Sequence, residues 1–370
     1  MTILVYEDLV ELVDAGKISG ILRDKIAGFS LDVLFEDIIY KPLPIKGDVL
    51  VLNDDESSKL SDAKFLEQCC TPVVIPREGL IIQEGDFYLA KLRPEIAIDE
   101  HFTLEMRTRS SYARRGLIVE SLGLGLLARE SSAINTLFSL RTRGTTAIVP
   151  FQEEICQLFV RPNLSFYGAS QIKPLVDSGE LIVRKDGFVL EADEINYNYG
   201  ITLSIDPIIH VYKKGIVLGK ANKVENNILI NDSSAFTTVD LREYPEGYFL
   251  NHKSFFLSAC AEEIEIAPKY VGFVTESVFM QTAEQSRSEV NYFPSLPFLT
   301  HSNAPYHGHR NMSKGKVTFE NYVVYESGVL LFAGAQQSEL LIHPLSRESG
   351  YTKKSRYDGQ VGATKEKRPV

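Results

Sequence analysis

The sequence predicts a mainly β chain made of two tandem copies of one module, a barrel or sandwich of short strands, with a few short helices. Three observations predict it. Short apolar or alternating runs recur at Phe29 to Leu34, Val49 to Leu52, Val73 to Ile75, Leu80 to Ile82 and Phe87 to Ala90, each bounded by Gly, Pro, Asp or Asn. One pair of runs then returns: Phe87-Tyr88-Leu89-Ala90 with Glu95-Ile96-Ala97-Ile98 reappears 168 positions on as Phe255-Phe256-Leu257-Ser258 with Glu263-Ile264-Glu265-Ile266. Finally, 370 residues are enough for two domains of ordinary size.

In chain order, Tyr6, Leu9, Val10 and Val13 have the spacing of an amphipathic helix, which Gly16 stops. The short strands follow. The repeat continues where Ile155-Cys156-Gln157-Leu158-Phe159-Val160 is matched by Glu339-Leu340-Leu341-Ile342-His343-Pro344. Between the copies, Gly168 to Asp193 reads as a helix (Gln171, Ile172, Leu175, Val176) and then the first strands of the second copy, Leu181 to Val183 and Phe188 to Leu190. After Ser346 the chain is basic, with Lys353, Lys354, Arg356, Lys365, Lys367 and Arg368, and has no apolar periodicity; composition alone reads it as a solvated tail. The expected division is residues 1–167, 168–345 and a tail of 346–370.

Composition narrows the function. With 44% hydrophobic and 24% charged residues the chain is of ordinary globular make-up. No apolar run reaches membrane-spanning length, and no basic region precedes the first apolar residues, so a cytoplasmic protein without a signal peptide or membrane contact is expected. A net charge of -10 argues against broad binding to nucleic acid, so any phosphate-bearing ligand must be held by local Arg and Lys clusters. Cys69, Cys70, Cys156 and Cys260 form no Cys-x-x-Cys pair, which argues for reduced thiols and against a structural zinc site.

The chemistry concentrates in Arg109-Ser110-Ser111-Tyr112-Ala113-Arg114-Arg115-Gly116-Leu117. It follows the alternation Phe102, Leu104, Met106, which places a strand up to about Met106 and a polar turn or helix start after it. Hydroxyls and free backbone N–H groups between guanidinium groups suit a phosphate chain; an ordinary capped helix with a basic face uses the same residues.

This stretch resembles the Arg-Ser-Ser-x-x-Arg-x-Gly motif of the dCTP deaminase branch of the dUTPase-like superfamily. Gly315-Lys316-Val317-Thr318-Phe319-Glu320-Asn321-Tyr322 resembles the family strand that ends in the catalytic glutamate, and Asn303-Ala304-Pro305-Tyr306-His307-Gly308 the turn before it. Tyr351 with Arg356-Tyr357-Asp358-Gly359-Gln360-Val361-Gly362 is similar to the family's C-terminal segment that closes over the nucleotide, with Arg356 where the family has lysine. Ser19-Gly20-Ile21-Leu22 and Ser30-Leu31-Asp32-Val33 look like the start of the long, two-module members. The resemblance thus implies two tandem dUTPase-like β-barrel modules.

The departures are informative. Counted from Arg109, the first copy's counterpart of the glutamate falls on Leu137, and the second copy's counterpart of the Arg-Ser-Ser start reads Thr275-Glu276-Ser277-Val278. Each copy has lost what the other kept, so one composite site is expected, with Ser110, Ser111 and Arg114 facing Glu320 across a module interface, within one chain or between chains.

What the resemblance implies is zinc-independent deamination of dCTP to dUTP and ammonia. Glu320 would move protons between water and the departing amine, its pKa raised by partial burial in an apolar strand. Arg114 and Ser110 would orient the water; Arg109 and Ser111 would hold the triphosphate, which arrives with Mg²⁺; Asn303 and Phe319 would contact the nucleotide, and Tyr351, Arg356 and Gln360 would cover it. A homo-oligomer, trimer or dimer, fits the family. The alternatives are a dUTP diphosphatase, a bifunctional dCTP-to-dUMP enzyme, or a non-catalytic nucleotide-binding regulator. His301, His307 and His309 match no zinc spacing and are read as part of the nucleotide turn.

Overall fold

The computed structural model describes residues 4–27, 30–43, 66–67, 69–96, 102–121, 126–127, 137–162, 167–197, 200–219, 223–225, 228–230, 234–276, 298–301, 306–307, 313–323 and 327–347. The first half opens with helix α1 (Tyr6–Asp14). The main strands that follow are β1 (Ser30–Val33), β2 (Ile38–Pro42), β3 (Cys70–Val74), β4 (Leu80–Ile82), β5 (Phe87–Lys91), β6 (Phe102–Thr108), β7 (Leu117–Ser121), β8 (Leu137–Thr142), β9 (Thr146–Val149) and β10 (Cys156–Pro162). A one-turn helix, α2 (Ser110–Ala113), joins β6 to β7. The second half opens with α3 (Ala169–Asp177) and carries β11 (Ile201–Ser204), β12 (Ile208–Tyr212), β13 (Val217–Leu218), β14 (Phe236–Asp240), β15 (Tyr248–Leu250), β16 (Phe255–Ala259), β17 (Tyr270–Glu276), β18 (Phe298–His301), β19 (Thr318–Val323), β20 (Val329–Leu331) and β21 (Gln336–Pro344).

The halves share one topology. The sheet β7-β8-β5-β2-β3 of the first is repeated as β18-β19-β16-β12-β14 in the second. Likewise β6-β10-β1 recurs as β17-β21-β11, and the antiparallel pair β4 with β9 recurs as β15 with β20. Leu89 lies opposite Ser139, and Leu257, 168 positions later, lies opposite Glu320. The helices repeat too: Leu12-Val13-Asp14-Ala15-Gly16 ends α1 and Leu175-Val176-Asp177-Ser178-Gly179 ends α3, each stopping at a glycine of positive φ.

Two sequence expectations are corrected by register. The β10 repeat is displaced by two residues from the match read in the sequence: Leu31 pairs with Leu158 and the equivalent Ile201 with Leu340, so Leu158 corresponds to Leu340. A slip of two preserves the strand's faces, which is why the apolar pattern still matched. The first copy's counterpart of Glu320 is Ser139, not Leu137; a count along the chain from Arg109 is blind to loop length, whereas cross-strand pairing fixes the position directly. The expected strand Val49 to Leu52 lies outside the described residues.

The halves are joined by more than a linker. Strand β13 of the second half adds in parallel to β9 of the first, with Thr146 opposite Val217 and Ala147 opposite Leu218. The first half's core extends into Tyr212, Leu218, Phe236, Phe255 and Leu257 of the second. Phe159 stacks edge-on against Phe273 with ring centres 5.7 Å apart.

Candidate active site

The Arg109 to Gly116 stretch forms a turn where β6 gives way to β7. Thr108 Oγ1 accepts from Val119 N–H at 2.9 Å, tying the two strands together. The N–H groups of Tyr112 and Ala113 donate to the Arg109 carbonyl and close α2. Gly116, at φ +76°, reverses the chain, and a Cβ there would fall 2.2 Å from Thr145 Oγ1. Thr145 Oγ1 in turn donates to the Arg115 carbonyl at 2.7 Å, and Arg143 N–H donates to the Gly116 carbonyl at 3.0 Å. The turn after β8 is thereby locked to the α2 turn, and both press on the second half. Gly144, at φ +67°, has room for no side chain: a Cβ would lie 2.8 Å from the Lys253 carbonyl and 3.0 Å from the Tyr322 ring.

Glu320 comes to this seam from β19, which continues past it to Val323 and so does not end at the glutamate. Alternation puts Glu320 and Tyr322 on one face and Phe319, Asn321 and Val323 on the other. Arg114 Nε stands 3.8 Å from Glu320 Oε1, and the two side chains are only 6% and 4% exposed. At that depth the ion pair is barely screened by solvent. Burial pushes the Glu320 carboxyl from an ordinary 4.5 up to about 8, and the Arg114 guanidinium holds it back only in part. Oε2 of Glu320 accepts no hydrogen bond among the described residues. Ala113, Gly116, Ile118, Arg143, Phe255, Glu320 and Tyr322 line one small cavity here, four of them from the first half and three from the second.

The other sequence candidates divide. Ser111 is half-buried in α2. Ser110 is placed by its backbone at the start of α2. Arg109 turns away from the seam: its guanidinium lies 3.4 Å from Asp32 and 3.7 Å from Glu154, and donates to the Glu154 carbonyl at 3.1 Å, all within the first half. Phe319 is corrected: its side chain is fully buried in the second half's core, on the face of β19 away from Glu320. Strand register places His301 opposite Glu320, while His307 sits in the other sheet opposite Val271. Asn303, His309, Tyr351, Arg356 and Gln360 lie outside the described residues.

Sequence reasoning missed Arg143, Tyr322 and Phe255. Tyr322 had a signal, two residues beyond Glu320 and so on the same strand face. Phe255 is its cross-strand partner. Arg143 belongs to Arg141-Thr142-Arg143-Gly144, two cations before a glycine turn, a pattern common on ordinary surfaces. Tyr322 OH donates to Glu84 at 3.3 Å, and burial together with that carboxylate pushes the phenol up to about 12.

The fold is thus a duplicated, two-module β architecture in which, at one seam, the first half contributes a guanidinium and the second a deeply buried carboxylate. The comparisons make this particular. Residues 3–162 match the family model described as dCTP deaminase-like. The whole fold is similar to the crystal structure of 2'-deoxycytidine 5'-triphosphate deaminase from Agrobacterium tumefaciens, with a TM-score of 0.69 and 15% identity over 93% of this chain and 99% of that one. No curated protein matches the chain in sequence. The likeness in sequence to the dCTP deaminase-like family thus covers residues 3–162, and the likeness in fold extends over 93% of the chain.

Proposed function

We propose that the chain is a hydrolytic deaminase that converts dCTP and water to dUTP and ammonia without a zinc ion. The observation that carries this reading is the buried pair of Arg114 and Glu320. Replacing an amine at C4 of a pyrimidine needs a group that takes a proton from the attacking water and then delivers one to the leaving nitrogen. A carboxyl poised near 8 exchanges protons readily around neutral pH, which suits both transfers. Arg114 keeps the carboxylate form accessible in a site that would otherwise hold it neutral, and with Ser110 it orients the water and the tetrahedral intermediate.

In this reading the triphosphate, arriving with Mg²⁺ as part of the substrate, meets the N–H groups and hydroxyl of the α2 turn around Ser111. Arg109 joins it by exchanging its Asp32 and Glu154 partners for phosphate. Asn303 contacts the base or sugar, and Tyr351, Arg356 and Gln360 cover the nucleotide. A cytoplasmic nucleotide pool is the setting this implies; among the described residues no helix is long and apolar enough to cross a membrane.

Incubating the protein with dCTP or dUTP and Mg²⁺, and following ammonia and pyrophosphate separately, tests the reading. Ammonia from dCTP without pyrophosphate is expected. Pyrophosphate would point to a dUTP diphosphatase or a bifunctional enzyme, and nucleotide binding with neither product to a regulator.

A further inference from the structure

Each half carries the same tight turn before an equivalent strand, Gln83-Glu84-Gly85-Asp86 before β5 and Asn251-His252-Lys253-Ser254 before β16. A backbone bond closes each one, from Asp86 N–H to the Gln83 carbonyl at 3.0 Å and from Ser254 N–H to the Asn251 carbonyl at 3.1 Å. The third residue of the turn takes a left-handed backbone. Gly85 does so at φ +93° in the first half, whereas the second half places Lys253 there at φ +62°. A lysine holds that conformation at a cost that glycine avoids. The turn itself has no use for the side chain, since the Lys253 N–H, which donates to the Val323 carbonyl at 2.8 Å, is a backbone group that glycine has too. What the lysine adds is an ammonium 3.8 Å from Glu84 of the other turn.

Glu84 is where the two turns meet. This first-half carboxylate accepts from Tyr322 OH at 3.3 Å and faces Lys253 Nζ, both groups of the second half. The Glu84 and Lys253 side chains are 32% and 50% exposed, so their ion pair contributes little stability of its own. Its place in the seam points to another role. Tyr322 follows Glu320 by two residues on the same strand face and lines the same cavity, with its ring against Gly144. Arg143 and Arg141 lie within electrostatic reach of its phenol. The first half has Arg141 at the position equivalent to Tyr322, so the aromatic wall belongs to the second half alone.

We propose, resting on the reading of Glu320 as the proton carrier, that Glu84 is a positioning residue: together with Lys253 it anchors the Tyr322 hydroxyl, and the anchored ring closes the Glu320 cavity against bulk water. Glu320 is faced by Arg114 and Arg143 of the first half, by Tyr322 of its own strand and, in strand register, by His301 of β18. Glu84 acts on it only through Tyr322. Keeping water out preserves the desolvation that holds the carboxyl protonated and strengthens its interaction with Arg114.

The test measures the pH profile of kcat/KM for dCTP and the carbon-13 titration of Glu320 in the wild type, Glu84→Ala, Glu84→Gln and Tyr322→Phe. Glu84→Ala and Tyr322→Phe should each lower kcat by roughly 10- to 100-fold with KM little changed. Both should move the kinetic limb and the Glu320 titration to lower pH, because water then reaches the carboxyl. Glu84→Gln removes the charge but keeps an acceptor for the hydroxyl, and should recover most of kcat and the wild-type titration. The double variant Glu84→Ala with Tyr322→Phe should be no worse than either single one, since both break the same contact. A Glu320 titration unmoved in Glu84→Ala, a Glu84→Gln as shifted as Glu84→Ala, or losses that add in the double variant would each overturn the proposal. The titration needs no turnover. A wild type that releases no ammonia from dCTP, yet whose Glu320 titration shifts in Glu84→Ala and not in Glu84→Gln, would sink the deaminase reading and leave the anchor standing.

Discussion

The two halves have the same strand order and the same register, yet they differ at a few positions that decide what each can do. Opposite Leu257 stands Glu320, whereas opposite Leu89 stands Ser139. Asn321, Ser258 and Gln337 form a fully buried hydrogen-bonded set in the second half, with Gln337 Nε2 donating to Ser258 Oγ at 2.7 Å and to Asn321 Oδ1 at 2.8 Å. The equivalent positions of the first half are Leu140, Ala90 and Ile155, all apolar. The first half carries the guanidinium and apolar side chains at these three positions; the second carries the carboxylate and the polar set. The proposed site needs one part from each copy, and the seam is where the two parts meet.

The largest effect is expected from erasing the difference at Glu320. Glu320→Gln keeps the shape but removes the proton acceptor, and turnover of dCTP should fall by about 100- to 10,000-fold with nucleotide binding largely retained. Normal turnover would break the comparison outright. In the wild type, kcat/KM should rise with pH along a limb near 8, because the ionised form is the one that takes the water's proton.

The same carboxyl gives a stability test of opposite sign to the usual one. The folded chain holds the Glu320 proton up to about 8, while the unfolded chain releases it near 4.5. Its contribution is therefore fully present below about 4.5 and is lost as pH rises through 8. Thermal melts should show the wild type losing stability from pH 5 to 9, with a smaller loss in Glu320→Gln. Equal losses in both proteins would show that this carboxyl does not titrate in that window.

Transplanting the core residues sharpens the comparison further. Asn321→Leu alone leaves Ser258 and Gln337 short of a buried partner and should cost about 1–3 kcal/mol by denaturant melt. Adding Ser258→Ala and Gln337→Ile, the residues of the first half, should recover most of that loss, because a fully apolar replacement leaves nothing unsatisfied. A triple variant as unstable as the single one would mean the polar set does more than pair with itself. The smallest effect is expected at the seam's turn: Gly144→Ala meets the Lys253 carbonyl at a positive φ and should destabilise by about 1–2 kcal/mol.

Much of the architecture was legible because strands on a folded sheet keep a two-residue period, so Phe87 to Ala90 and Phe255 to Ser258 could be matched without coordinates. The same period hid the displacement of β10 against β21, since a slip of two leaves the apolar face unchanged. The approach of Arg114 to Glu320 was expected from the resemblance, and the structure brings the two side chains within 3.8 Å. The partners of Arg109 were not legible for a physical reason: a guanidinium reaches several carboxylates, and the sequence does not show that Asp32 and Glu154 lie within its reach. Phe319 was grouped with its neighbour Glu320, although adjacent strand residues point to opposite faces.

The central claim is that one carboxyl from the second half and one guanidinium from the first share a buried site. Titrating Glu320 by carbon-13 NMR, in the wild type and in Arg114→Met, tests it most directly. A titration near 8 that moves higher when the guanidinium is removed is the expected result; an ordinary value near 4.5, unchanged in Arg114→Met, would contradict it.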